Sequence, residues 1–163
     1  MVFLCTGNAA RSVMAGAIAR AQRADLVVTT AGTHVVEGMP MSWRTRDALE
    51  AVGVRADGHR SRQLRAEDVA TADLVVALAA EHVAYIRRAH PEGASRAATL
   101  KRLARDLADG PAPLPERVEA LGLAHVRLHD WEDVVDPAGG DFAEFHACVW
   151  EIEELLARLA PRL

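Results

Sequence analysis

Two rhythms of apolar positions alternate along this chain, short dense runs and longer stretches with helical spacing. Val2–Leu4 is a short apolar run that stops at the turn-rich Cys5-Thr6-Gly7-Asn8. From Arg11 to Arg23 the apolar residues Val13, Met14, Ala17, Ile18 and Ala21 recur at helical spacing and predict a helix. Leu26–Thr30 is apolar and β-branched, a second strand ended by Ala31-Gly32-Thr33. Residues 43–52 predict a helix closed by Gly53. Residues 73–78 form a nearly continuous apolar run, as in a strand buried on both faces of a parallel sheet. A helix over 81–89 stops ahead of Pro91. Residues 98–107 read as a short strand running into a helix, residues 110–115 as a proline-rich loop, and residues 117–123 as a modest helix. An acidic, irregular stretch over 126–137 leads to a long amphipathic helix over 142–159, which packs Phe145, Val149, Ile152, Leu155, Leu156 and Leu159.

Strand and helix alternating over so short a chain imply an open α/β sheet with helices on both faces. In such sheets ligands bind at the carboxyl ends of the strands, where the turn after the first strand lies. One domain is expected to span residues 1–163, with length enough for a real core. Half the residues are apolar and 26% are charged, an ordinary globular balance. The net charge of -4 and the lack of a free basic run argue against a nucleic-acid surface. The dense basic stretch Arg60–Arg65 is followed at once by Glu67 and Asp68, and reads as a local anion-facing loop or a solvated turn. No apolar run approaches the roughly 20 residues that span a bilayer, and no signal-peptide pattern opens the chain, so no membrane partner and a cytoplasmic location are expected. Cys5 and Cys148 are too few for a disulfide framework and lack zinc-ligand spacing. Cys148 reads as a small buried hydrophobe.

The chemistry lies in Cys5-Thr6-Gly7-Asn8-Ala9-Ala10-Arg11-Ser12, which follows a strand and opens a helix. A loop wound between a strand end and a helix N-terminus turns backbone N–H groups inward as an anion nest, and the helix dipole adds positive potential there. Thr6, Gly7, Asn8, Ala9 and Ala10 supply that nest. Gly7 permits a conformation that a Cβ resists, and Asn8 tolerates the left-handed region. Arg11 closes the ring with a planar fork matched to two phosphate oxygens. The same field favours Cys5 as thiolate, ready for in-line attack on phosphorus. Ser12 can donate a hydrogen bond to that sulfur. A phosphocysteine route needs an acid for the leaving group and a base for water. Asp136-Pro137 is the best candidate, because Pro137 holds Asp136 extended in an irregular loop. Asp130, Glu132 and Asp133 crowd like charge beside it. On local pattern alone, an ordinary turn before a capped helix fits that stretch equally well.

Taken together these motifs resemble the low-molecular-weight protein tyrosine phosphatase family. The match rests on Cys5 with Arg11-Ser12, on Gly7 and Asn8, and on Asp136-Pro137 shortly before the final helix. Ala31-Gly32-Thr33, His59-Arg60-Ser61-Arg62-Gln63-Leu64 and Ala72-Asp73-Leu74-Val75 look similar as well. The resemblance implies a flavodoxin-like three-layer sandwich around a four-stranded parallel sheet. It also implies nucleophile Cys5, phosphate ligand Arg11, thiolate partner Ser12, loop-shaping Asn8 and general acid Asp136. Expected partners are a phosphorylated protein or small phosphomonoester, with inorganic phosphate or a similar oxyanion in the loop. No metal or organic cofactor is expected, since the loop and Arg11 supply the positive charge.

Departures from the family pattern bear on redox behaviour and on substrate. The cysteine that many members carry just before the arginine is Ala10 here, so oxidised Cys5 has no disulfide partner in the loop and is expected to go further toward sulfinic acid. The proline that commonly follows Arg-Ser is Val13. Phosphotyrosine-specific members carry an aromatic after the second strand and another directly after Asp-Pro; this chain has His34, Val35 and Val36, and Ala138. Trp43 and Trp131 read as core or helix-packing residues. Protein phosphotyrosine is the first expectation, with phosphoarginine or another non-tyrosine phosphoryl group as the alternative. A thiol-dependent arsenate reductase would need a resolving thiol, with only Cys148 to offer. A phospho-ligand-binding module without turnover would need neither Cys5 nor Asp136.

Overall fold

A computed structural model describes residues 1–163. Four parallel strands, β1 (Val2–Cys5), β2 (Thr29–Gly32), β3 (Val75–Ala77) and β4 (Ala97–Thr99), form one sheet in the order β2-β1-β3-β4. β1 is central: Val2–Cys5 lie opposite Thr29–Gly32 on one side, and Val2–Leu4 lie opposite Val75–Ala77 on the other. That order, with its reversal beside β1, is the doubly wound flavodoxin-like arrangement, and it puts the end of β1 at the crevice where ligands bind.

The period-two alternation of strand side chains divides the core into two layers. Phe3, Cys5, Val76 and Ala98 join the larger cluster with helices α1 (Arg11–Gln22), α2 (Trp43–Ala51), α5 (Leu100–Asp106) and α7 (Phe142–Leu159). Val2, Leu4, Ala31, Val75 and Ala97 face the smaller cluster, closed by α3 (Ala66–Thr71) and α4 (Ala80–Ala89) through Val69 and Ile86. The apolar residues expected of the final helix, Phe145, Val149, Ile152, Leu155, Leu156 and Leu159, are all buried. In α1, Val13, Met14, Ala17 and Ile18 are buried, while Ala21 lies exposed near the helix end.

Three elements differ from expectation. β2 begins at Thr29 rather than Leu26, and Val27 is exposed. Its strongest β-formers therefore precede the strand, and the small pair Ala31-Gly32 completes it. Close packing explains this: a Cβ on Gly32 would lie 2.5 Å from the Thr6 carbonyl oxygen, so only glycine lets β2 run alongside the loop after β1. α6 (Leu114–Glu119) begins inside the stretch read as a proline loop, because Pro115 occupies its first turn, where a missing N–H costs nothing. α3 had no periodic signal. It is one short helix started by the Asp68 side chain, which accepts the Arg65 N–H at 2.9 Å.

Gly32→Ala is expected to cost about 1–3 kcal/mol through forced backbone shifts. Urea denaturation would read this as a lower midpoint at unchanged slope.

Candidate active site

β1 ends at Cys5 and α1 begins at Arg11, so the loop between them lies at the carboxyl edge of the sheet. The backbone N–H groups of Gly7, Ala9 and Ala10 donate to no protein acceptor. Those of Thr33 and His34 donate to the carbonyls of Cys5 and Thr6 at 2.9 and 3.0 Å, tying the loop to the end of β2. The Asn8 N–H points at Cys5 Sγ, 3.3 Å away.

Asn8 organises the loop. It is fully buried and holds φ at 50°, the one non-glycine residue in the left-handed region. Its Nδ2 donates to Ser12 Oγ at 3.0 Å, its Oδ1 accepts the Arg62 N–H at 3.0 Å, and its carbonyl accepts from His59 Nε2 at 2.8 Å and Ser61 Oγ at 3.0 Å. Ser12 Oγ lies 3.0 Å from Cys5 Sγ. Because Asn8 already donates to Ser12 Oγ, the serine hydroxyl hydrogen is free for the sulfur. Thr45, buried in the first turn of α2, donates from Oγ1 to the Ala9 carbonyl at 3.0 Å.

Arg11 is buried and reaches across to the loop before α7. Its Nη1 donates to the Val134 carbonyl at 3.3 Å, and its Nη2 meets Asp136 Oδ2 at 2.5 Å. Asp136 is half-exposed, and its other oxygen accepts the Ala138 N–H at 3.1 Å. The acidic run does not crowd Asp136. Its two nearer acidic neighbours are each held by a separate partner. Buried Glu132 pairs with Arg102 and accepts from Thr99 Oγ1 at 2.9 Å, and Asp133 Oδ1 accepts the Ala80 N–H at 2.6 Å. Arg102 and Thr99 act with burial opposing them, and hold the Glu132 carboxyl below its ordinary range. The helix after Asp136 is capped by Asp141, which accepts from the N–H groups of Ala143 and Glu144 at 2.8 and 3.2 Å.

The basic stretch is a supporting turn rather than an anion site. Arg62 forks onto Asp68 at 2.7 and 2.9 Å, and Ser61 and the Arg62 N–H bond Asn8. Neither Trp43 nor Trp131 is a core residue: both are exposed, Trp43 against Phe142 and Trp131 under the Arg105 guanidinium 3.9 Å from its ring. Cys148 is buried, and burial pushes its thiol up to about 12. No group of three His, Cys, Asp or Glu is arranged to hold a metal ion. No helix is long and apolar enough to cross a membrane.

Sequence reasoning assigned no role to Thr45, His59 or His82. The stretch around His59 carried a family likeness but no chemistry of its own. His82 is 1% exposed; its Nε2 lies 3.0 Å from Thr6 Oγ1, and its Nδ1 has no partner. Burial, aided by the Arg11 charge, lowers it to about 3. No local pattern announces it, because a single histidine in the first turn of a helix is ordinary. A cleft of about 290 Å³ lined by Thr6, Thr33, Glu81, His82, Tyr85 and Arg88 opens on this side of the loop.

A cysteine sulfur at the mouth of a strand–loop–helix turn, bonded by serine and overlooked by paired arginine and aspartate, on a parallel α/β sheet, defines a cysteine-dependent phosphatase. The family model for low molecular weight phosphotyrosine protein phosphatase matches residues 1–120, and the chain belongs to that family. It is 31% identical to a protein-arginine-phosphatase of Geobacillus stearothermophilus, over 100% of this chain and 95% of that one. It is 32% identical to the low molecular weight protein-tyrosine-phosphatase Etp of Escherichia coli K12, over 56% of this chain and 62% of that one. Among solved structures, the low molecular weight protein tyrosine phosphatase of T. tengcongensis superposes with a TM-score of 0.81 at 29% identity, covering 99% and 97% of the two chains. The YwlE arginine phosphatase of Geobacillus stearothermophilus gives 0.78 at 31%, covering 98% and 89%.

Two outcomes follow from these contacts. Glu132→Ala strands Arg102 without its buried partner and is expected to cost about 3–5 kcal/mol, read by denaturant titration. His82 stays neutral in the folded chain down to about pH 3, whereas the unfolded chain takes up that proton near pH 6.5. The unfolded state thus binds more protons as pH falls below about 6.5, and folding stability drops through that window, by on the order of 2 kcal/mol at pH 5. His59, also lowered chiefly by burial, acts in the same direction. His82→Gln is expected to flatten the slope of Tm against pH between 6.5 and 4.

Proposed function

We propose that this protein removes phosphoryl groups from phosphorylated proteins through a phosphocysteine on Cys5, and that phosphoarginine is the preferred group. The observation that carries the mechanism is the convergence on one loop of Cys5 Sγ, with Ser12 Oγ at 3.0 Å, and the Arg11–Asp136 pair at 2.5 Å. The loop N–H groups of Gly7, Ala9 and Ala10 and the Arg11 fork receive the phosphoryl oxygens. A phosphoryl dianion competes with Asp136 for the same guanidinium, so binding frees the carboxyl to carry a proton. Cys5 Sγ then attacks phosphorus and the bond to the leaving nitrogen or oxygen breaks, with Asp136 protonating that atom. In the second half Asp136 takes a proton from water. The water oxygen attacks phosphorus, the S–P bond breaks, and phosphate leaves a thiolate bonded by Ser12 and the Asn8 N–H.

Two features favour phosphoarginine. The positions expected to grip a phenyl ring hold Ala138 and His34-Val35-Val36. Two relatives alike over nearly their whole length, from Geobacillus stearothermophilus and Bacillus subtilis, are named protein-arginine-phosphatases, at 31% and 30% identity. Phosphotyrosine is the second reading, favoured by the family description itself. Arsenate reduction lacks a ready resolving thiol, because Cys148 is buried and held protonated.

Hydrolysis of phosphoarginine and phosphotyrosine peptides of one sequence tests both parts. Cys5→Ser is expected to abolish turnover and Asp136→Asn to lower kcat by about 10²–10⁴-fold. The phosphoarginine peptide is expected to lead in kcat/KM by at least about tenfold. A lead for phosphotyrosine would move the second reading forward, and turnover surviving Cys5→Ser would end the phosphocysteine route.

A further inference from the structure

Phe142, His146 and Trp150 sit four residues apart on α7, in a stripe flanking the one formed by buried Phe145, Val149 and Ile152. Trp43, the first residue of α2, extends this stripe across to a second helix. Its ring packs edge-on to Phe142 at 4.3 Å between centroids, followed by Phe142–His146 at 6.5 Å and His146–Trp150 at 5.6 Å. Trp43, Phe142 and Trp150 are 59, 37 and 55% exposed. The chain has three Trp, three Phe and one Tyr. Two of the tryptophans and one phenylalanine lie on this single face, against the preference of large apolar rings for burial.

A cation completes the patch. The Arg44 guanidinium lies 5.0 Å from the Trp43 ring centroid and 6.0 Å from that of Phe142, while its buried Nε has no hydrogen-bond partner. It forms no ion pair within the protein, unlike His146, which Asp47 holds at 2.7 Å. The patch also starts at the catalytic loop. Thr45, two residues after Trp43, bonds the Ala9 carbonyl at 3.0 Å, and Phe142 opens the helix that follows Asp136-Pro137.

We propose that Trp43, Arg44 and Phe142 form the docking rim for the polypeptide segment flanking the phosphorylated residue of a protein substrate, an inference that rests on the phosphatase reading above. The substrate must bring an anion to the loop beside this rim, and an unpaired guanidinium there complements a chain carrying phosphate and carboxylates. Trp and Arg are also the residue types that most often carry binding energy at protein surfaces. From Phe142 to Trp150 the stripe runs about 12 Å, at about 1.5 Å per residue. An extended segment rising about 3.3 Å per residue covers it with roughly four residues. An apolar substrate side chain lies on Trp43 and Phe142, and a carboxylate or carbonyl meets Arg44.

The test measures binding apart from turnover. In a Cys5→Ser background, fluorescence anisotropy follows labelled nine-residue peptides, with central phosphoarginine or phosphotyrosine flanked by Leu and Asp. Trp43→Ala and Phe142→Ala are each expected to weaken binding about tenfold, Trp43→Phe to restore most of it, and truncation of the flanks to erase the difference. Inorganic phosphate is expected to compete equally well in all variants. Unchanged peptide affinity in Trp43→Ala would overturn the proposal, and so would an equal loss of phosphate affinity, which marks a disturbed loop. A concentration-dependent dimer in sedimentation that Trp43→Ala dissolves would assign the face to a second copy instead. If wild type hydrolysed no phosphorylated peptide or aryl phosphate while these affinity differences held, the phosphatase reading would fail and the docking rim would stand.

Discussion

A loop that aims its N–H groups at an anion cannot bond to itself, so it has to be held open from outside. Here that constraint falls on Asn8. Its backbone takes a left-handed turn at φ 50° in a fully buried position, and its amide and carbonyl are bonded by Ser12, Arg62, His59 and Ser61. A buried polar group left unpaired costs roughly 1–3 kcal/mol, so the network stands or falls together. The residues that satisfy Asn8 come from α1 and from the segment before α3. The catalytic loop is therefore only as rigid as the packing between those parts of the chain.

Asp136, the proposed acid, arrives by a separate route. Asp136 lies at the end of a segment with little regular structure, and its position depends on three anchors along that segment. Glu132 joins Arg102 and Thr99 at the end of β4, Asp133 meets the start of α4, and the Val134 N–H donates to the Leu78 carbonyl at 2.9 Å. Arg11 then couples the two halves of the site, since one guanidinium touches both the Val134 carbonyl and Asp136. A loop pinned at its base lets Asp136 yield Arg11 to a phosphoryl group, as the proposed mechanism requires, without unfolding. The aromatic rim lies on the same junction, because α2 and α7 both begin there.

Much of this was legible in residue order. The run Val2–Leu4, the turn residues after it and the helical spacing beyond locate the strand–loop–helix unit, because those signals are local and mutually consistent. β2 was misplaced by about three residues, because its β-branched residues Val27 and Val28 pointed one way and register against β1 the other. Register won, since each β1 residue needs a partner on that side and Gly32 alone fits beside Thr6. The tryptophans were not core residues for a related reason, although Trp43 does pack one helix on another. Residue type favours burial, but whether a neighbouring element covers Trp43 or Trp131 is decided by packing.

By itself, then, the sequence determined the α/β class and the strand–loop–helix turn that carries Cys5, Arg11 and Ser12, because each is written in neighbouring residues, whereas Asp136 stood out from an ordinary turn only through the family resemblance. Only the tertiary structure decided which groups hold Asn8, that Glu132, Asp133 and Asp136 are divided among Arg102, α4 and Arg11, that His82 is buried neutral beside Thr6, and that Trp43, Arg44 and Phe142 pack together across α2 and α7. Those contacts join residues 30 to 130 positions apart or depend on what covers a side chain, and short-range pattern carries no information about either.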